Sequence, residues 1–155
     1  MTDRDLLRHL LAVLAYRGGK PLRNAKPEFA GFDSGGGQTP LKILAHLGDL
    51  MDWALTQAQG KPRWVEAPLA TWNEQVPRFF ASLAVLDQYL ASDAPIQCDL
   101  GRLLAGPIAD ALTHVGQLMM LRRISGDPVY GENYFVADIV VGRVGFDQTS
   151  PVKIF

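Results

Sequence analysis

Residues 103–124, LLAGPIADALTHVGQLMMLRRI, set a polar triad among apolar residues at helical spacing. At 100° per residue, Asp110, His114 and Gln117 point within roughly 60° of one another. Leu103, Pro107, Leu118, Leu121 and Ile124 share that side. A core-facing helix carries an apolar stripe, and polar side chains set within such a stripe are costly unless something satisfies them. Asp110 and His114 stand at i, i+4, which stacks two potential ligands one above the other. The stretch predicts an inward-facing helix that carries metal-binding donors.

The flanks give that helix its ends. Asp99 is the candidate N-cap, and Ser125-Gly126-Asp127-Pro128 is a glycine-then-proline stop. Gly106-Pro107 predicts a kink just before Asp110, and Arg122-Arg123 in the last turn complement the helix dipole.

Upstream, three more amphipathic helices are expected. Residues 69–91 carry Val76, Phe79, Phe80, Leu83, Leu86 and Leu90 at helical spacing, interrupted only by Pro77, and hold no histidine. They read as core wall, followed by a turn over 92–97. Thr39-Pro40 pairs a capping residue with proline at the first helical position, and that helix runs to about Gln59 before Gly60 and Pro62 end it. Its apolar arc is Ile43, Leu44, Leu47, Leu50, Met51 and Ala54. His46 and Trp53 lie side by side at one flank of the arc, with Asp49 one step further toward solvent. A first helix starts at Thr2 or Asp3 with the stripe Leu6, Leu7, Leu10, Leu11, Val13 and Leu14, and His9 sits beside it.

Between these helices run connections. Residues 17–38 read as a long connection that could border the site, punctuated by Gly18-Gly19, Pro21, Pro27 and Gly35-Gly36-Gly37. The alternative is that the first helix continues past Tyr16 toward Ala25 against the weakening of Gly18-Gly19. The three glycines lack a following Lys-Ser/Thr, so they do not make a phosphate loop. Residues 61–68 form a connector whose Trp64 packs over the bundle end. The tail, 129–155, reads as an extended arm rich in aromatics, with a β-branched run at Ile139-Val140-Val141.

Composition narrows the class. The chain has 155 residues, enough for a single domain spanning 1–155 with one core. The formal net charge is −1, with acids and bases interspersed, so a nucleic-acid surface of clustered Lys and Arg is not expected. No apolar run approaches a membrane span, and the charged N-terminus is unlike a signal peptide. One cysteine, Cys98, excludes an internal disulfide and fits a reducing compartment. A cytoplasmic location is the expectation.

Four such helices imply an all-α four-helix bundle with a long loop after the first helix and an extended C-terminal arm. Bundles build metal sites from inward-pointing side chains on facing helices. His46 with Asp110 and His114 would supply two imidazoles and a carboxylate, leaving positions open for water and substrate. Gln117 suits a hydrogen bond to a ligand or to one of these side chains. Asp49 is a candidate fourth ligand or general base. The competing reading is that Asp110 and His114 simply pair with each other as an i, i+4 couple. Nucleophilic catalysis has less support, because Cys98 has no histidine near it in sequence and no serine has a nucleophile-elbow context.

A resemblance bears on the choice. Thr39-Pro40, Ile43-Leu44-Ala45-His46-Leu47-Gly48-Asp49, His114-Val115-Gly116-Gln117, Leu121-Arg122-Arg123 and Gly126-Asp127-Pro128 together resemble the DinB/YfiT-like superfamily of metalloenzymes. The likeness runs from the first helix to Pro128. It implies a four-helix bundle that is often a homodimer and holds a divalent metal. Characterised relatives include thiol-dependent transferases and hydrolase-like or isomerase-like enzymes. The family's usual three histidines map onto His46, Asp110 and His114, so an aspartate stands where the first histidine of the later pair is usual. A carboxylate makes the site harder and less positive, and leaves zinc, nickel, iron and manganese open. The expected chemistry is a metal-polarised water or low-molecular-weight thiol attacking a small electrophilic substrate. Trp53 would wall the pocket, and the 17–38 loop or the arm would cover its mouth. The alternative is a non-catalytic bundle that dimerises or binds a small molecule.

Overall fold

The computed structural model describes every residue from Met1 to Phe155. It is an all-α bundle without named strands, built from α1 (Asp3–Leu22), α2 (Pro40–Ala58), α3 (Trp72–Ala91), α4 (Leu100–Leu103) and α5 (Ala109–Ile124). A π-helical turn, Leu104–Ile108, joins α4 to α5, so the last three pieces make the fourth rod. No helix is long and apolar enough to cross a membrane.

Local chemistry sets the starts. Thr2 caps α1, its Oγ1 accepting from the Asp5 N–H at 3.1 Å while its own N–H donates back to the Asp5 carboxylate at 2.9 Å. Thr39 caps α2 ahead of Pro40, and Asp99 accepts from the Arg102 N–H at 2.9 Å to cap α4. The helix expected from residue 69 begins three residues later. Thr71 donates its N–H and its hydroxyl to the Glu74 carboxylate and fixes the start there.

Of the two readings of residues 17–38, the continued helix is the one seen, with α1 running to Leu22 through Gly18-Gly19 and Pro21 and leaving a shorter loop. Packing overrides the helix-weakening glycines. A Cβ on Gly18 would stand 3.2 Å from Phe79 Cε1 and 3.5 Å from Val115 Cγ2, so the small residue lets α1 lie close to α3 and α5. Residues 27–31 add a short 3-10 turn whose Phe29 is buried. Arg122 is likewise not a solvated dipole partner. It is 4 % exposed and donates to the carbonyls of Pro21, Arg23 and Asp127, tying the end of α5 to the end of α1. A buried guanidinium needs this many acceptors.

One apolar cluster joins all four rods, with Leu11, Leu14, Leu44, Leu47, Met51, Phe79, Leu83, Ile108 and Leu118 at its centre. The kink expected at Gly106-Pro107 takes the form of the π-helical turn, a register in which the missing N–H of Pro107 is accommodated. Residues 129–155 form the extended arm. Its only ladder contact is an antiparallel bridge between Glu132 and Ile154. Glu132 is buried and takes hydrogen bonds from Tyr16 at 2.5 Å and Lys20 at 2.7 Å, which pins the arm to α1.

Candidate metal centre

The site forms where α2 faces α5. The buried arc of α2 leaves His46 on its flank, and the buried residues of α5 are Ala111, Val115, Leu118, Leu121 and Arg122. Ala111, Val115 and Leu118 each follow a member of the triad by one residue, about 100° round the helix. Asp110, His114 and Gln117 therefore stand beside the apolar stripe rather than inside it. This corrects the sequence expectation, and its consequence is access. The Asp110 side chain is 48 % exposed and that of His114 20 %, while His46 is at 36 %.

His46, Asp110 and His114 form a group that can hold a metal ion, with one ligand atom from each lying within 4.8 Å of the others. His46 Nε2 is 3.7 Å from Asp110 Oδ2, and His114 Nε2 is 3.5 Å from Asp110 Oδ1. These separations exceed hydrogen-bond length. The two contacts use different oxygens of Asp110, and with one ligand atom from each residue the group spans up to 4.8 Å. That is wider than the edge of about 3.4 Å for a tetrahedron of donors about 2.1 Å from an ion, so the side chains close in slightly to bind one. The donor set of two imidazoles and a carboxylate fits a borderline or moderately hard divalent cation. The two imidazole rings meet edge to face, 4.8 Å between centroids.

Gln117 completes the geometry. Its Oε1 lies 2.8 Å from His114 Nδ1. A carboxamide oxygen can only accept, so Nδ1 is the donor in this contact, and Nε2 is the nitrogen left facing Asp110. Orientation of a ligand imidazole through its other nitrogen is what a metal site needs.

The surroundings hold three features that the sequence did not give. Trp64 does not cap the bundle end. It stands edge-on to His46, 5.5 Å between centroids, and edge-on to Trp53 at 5.8 Å. Trp53 is thus one ring removed from the centre. It lines a neighbouring cavity of about 540 Å³ with Gln57, Cys98, Arg102, Leu103 and Pro107, whereas His46, His114 and Gln117 line one of about 490 Å³. Asp49 lies in the wall of this second cavity, yet it is 5 % exposed rather than solvated. Its Oδ1 accepts from Arg78 at 2.6 Å and from the Ala67 N–H at 3.2 Å, so its charge is already paired. Arg78, on the helix read as plain core wall, also donates to the carbonyl of Ala45 and to Asp52. It crosses α2 at Gly48, where a Cβ would come within 2.8 Å of Arg78 Nη1. Only an alignment of charge across two helices would have revealed this, and nothing in the spacing of Arg78 signals it.

Of the two covers expected, the first loop reaches the cavity and the arm does not. Gln38, at the end of the shortened first loop, and Glu66, on the connector, border the cavity, but no arm residue does. The arm packs instead on α1 and α3, as in the Phe80–Phe146 contact. Burial, with help from Asp99, pushes the Cys98 thiol up, and a protonated thiol is a poor nucleophile.

Comparison with protein-family models, with curated proteins and with solved structures finds no match to this chain.

Proposed function

We propose that this chain is a metal-dependent enzyme of the DinB-like kind, in which His46, Asp110 and His114 hold one divalent ion for chemistry on a small electrophilic substrate. The observation that carries the reading is the donor spacing. One ligand atom from each of the three residues lies within 4.8 Å of the others, and Gln117 sits on His114 Nδ1, which leaves Nε2 as the nitrogen an ion would take. When bound, the ion supplies Lewis acidity that brings a water or small thiol toward its deprotonated form at neutral pH.

The chain's own residues do the rest. Three protein donors leave coordination positions for substrate and water, and the half-exposed Asp110 keeps that side open. Gln117 holds the His114 ring in place, and Trp64 shields one side of His46. The resemblance adds a low-molecular-weight thiol as co-substrate and a second copy of the chain as partner to this proposal. The competing reading, a bundle without catalytic metal, draws on the exposure of Asp110, which a solvated His–Asp pair would share.

Elemental analysis separates the two, on protein purified without affinity tag or chelator and on Asp110→Ala and His114→Ala variants. Near-stoichiometric metal in the parent and loss in both variants is the expected result. A metal-free parent whose melting temperature ignores added zinc, nickel and manganese overturns the enzyme reading, because an ion that binds only the folded state must stabilise it.

A further inference from the structure

A third cavity lies on the other side of α5, and none of its residues belongs to the metal centre. It encloses about 350 Å³ between α1, α5 and the arm, within the range of small-molecule sites. On a helix of 100° per residue, Leu112, Val115, Gly116 and Met119 point away from Asp110, His114 and Gln117. With Phe155 from the arm they give the chamber an apolar lining.

Two charged groups face it. Glu132 is fully engaged, with one carboxylate oxygen accepting from Tyr16 and the other from Lys20, and its side chain has no exposed surface. Arg17 has no carboxylate within ion-pairing distance. Its guanidinium lies over the Tyr134 ring, 4.0 Å from the centroid. That stacking fixes the guanidinium plane while leaving its N–H edges free to donate. Arg17 is therefore the one charged group lining the cavity without an ion-pair partner.

Gly116 is the second, independent observation. A glycine inside a helix weakens it, and most helical glycines in a bundle are explained by a close neighbour. A Cβ at Gly116 would meet nothing within 4 Å. No packing demands glycine there, and the residue is exposed at the edge of the cavity it lines, where a larger side chain would narrow the opening.

We propose that this chamber binds a small carboxylate with an apolar body, its acid group on Arg17 and its body against Leu112, Val115, Met119 and Phe155. The site stands whether or not the metal reading does. Isothermal titration of the full chain with octanoate and with 1-octanol tests it. Octanoate binds saturably and about tenfold more tightly than the alcohol, the gain of a charge-assisted contact. Arg17→Gln removes that advantage and leaves the weak binding of octanol unchanged. Gly116→Leu blocks both ligands, while Gly116→Ala, which adds only a methyl group, folds and still binds. No saturable binding to the parent, equal affinity for acid and alcohol, or full octanoate affinity in Arg17→Gln each overturns the proposal.

Discussion

Gln117 holds His114 by its Nδ1, Oε1 to nitrogen at 2.8 Å, and so decides which imidazole nitrogen faces Asp110. Removing that partner frees the ring to rotate and to change tautomer without removing a ligand. Gln117→Leu is expected to weaken zinc binding by about tenfold to a hundredfold, the usual loss when the hydrogen-bond partner of a ligand histidine is deleted. Competition against a chromophoric chelator measures it. Unchanged affinity would show that Gln117 does not orient the site.

The pair formed by Arg78 and Asp49 ties α3, α2 and the connector together under the same cavity. Arg78→Met strands a carboxylate that is 5 % exposed. Breaking a buried pair from one side usually costs about 3–5 kcal/mol, and the quarter exposure of Arg78 lowers the expectation to about 2–3 kcal/mol by urea denaturation. Asp49→Asn in the Arg78→Met background recovers much of that loss, because a neutral carboxamide still accepts from Ala67. A double variant no more stable than Arg78→Met would show that the stranded charge is not the cause.

Much of this fold is legible in the sequence, and the misses have physical causes. Thr39-Pro40, Asp99 and Gly126 announce helix ends through local chemistry, and each lies where the chain turns. His46, Asp110 and His114 come together because helical period and bundle topology suffice to bring them there. Gly18-Gly19 misleads, since local propensity argues for a break while the contact with Phe79 needs glycine in a continuous helix. Leu103, Pro107, Leu118 and Leu121 of the expected stripe are buried, but the buried face extends further round to Ala111 and Val115, which leaves the triad at its edge and Ile124 exposed. Trp64 and Arg78 are placed by contacts between segments distant in sequence, which no periodicity records.

The two N-terminal hydrogen-bond pairs set an acid limb of stability. Asp5 is held below the ordinary carboxylate range by the Thr2 backbone N–H and then by its hydroxyl, and Glu74 is held down by the Thr71 hydroxyl and then by its N–H. A carboxyl whose pKa is lower in the folded state contributes stability above its unfolded value, near about 4. That contribution is lost as pH falls through the folded value. Asp5→Asn with Glu74→Gln should flatten the fall in melting temperature between about pH 5 and pH 2. An unaltered acid limb would place the titrating groups elsewhere.

Tyr16 and Lys20 are the two donors to the buried Glu132 carboxylate, and through it they anchor the arm. Tyr16→Phe leaves one carboxylate oxygen without its partner in a site closed to water. The expected cost is about 1–3 kcal/mol, felt first as detachment of residues 129–155 rather than loss of the bundle. Limited proteolysis reads this directly, with faster cleavage in the arm and an unchanged helical circular dichroism spectrum. Equal cleavage rates in parent and variant would show that other contacts, such as Phe80 with Phe146, suffice to hold it.

Asp110 separates a tuned metal site from a vestige. It is the one carboxylate among the three donors and the most exposed of them. If it ligates, its oxygen favours harder ions, and an imidazole in its place favours borderline ones. Asp110→His is therefore expected to keep a bound metal but to shift selectivity from manganese or iron(II) toward nickel and zinc, whereas Asp110→Ala loses the metal. Competition titrations of each ion against a common chelator give the ratio. If Asp110→His and Asp110→Ala bind zinc as the parent does, position 110 is not a ligand, and His46 and His114 would have to hold any ion without it. The 3.5 Å and 3.7 Å separations set Asp110 between the two imidazoles without committing it to either, and its Oδ1 also accepts from the Thr113 hydroxyl at 3.4 Å, so the selectivity ratio rather than the spacing separates the two outcomes.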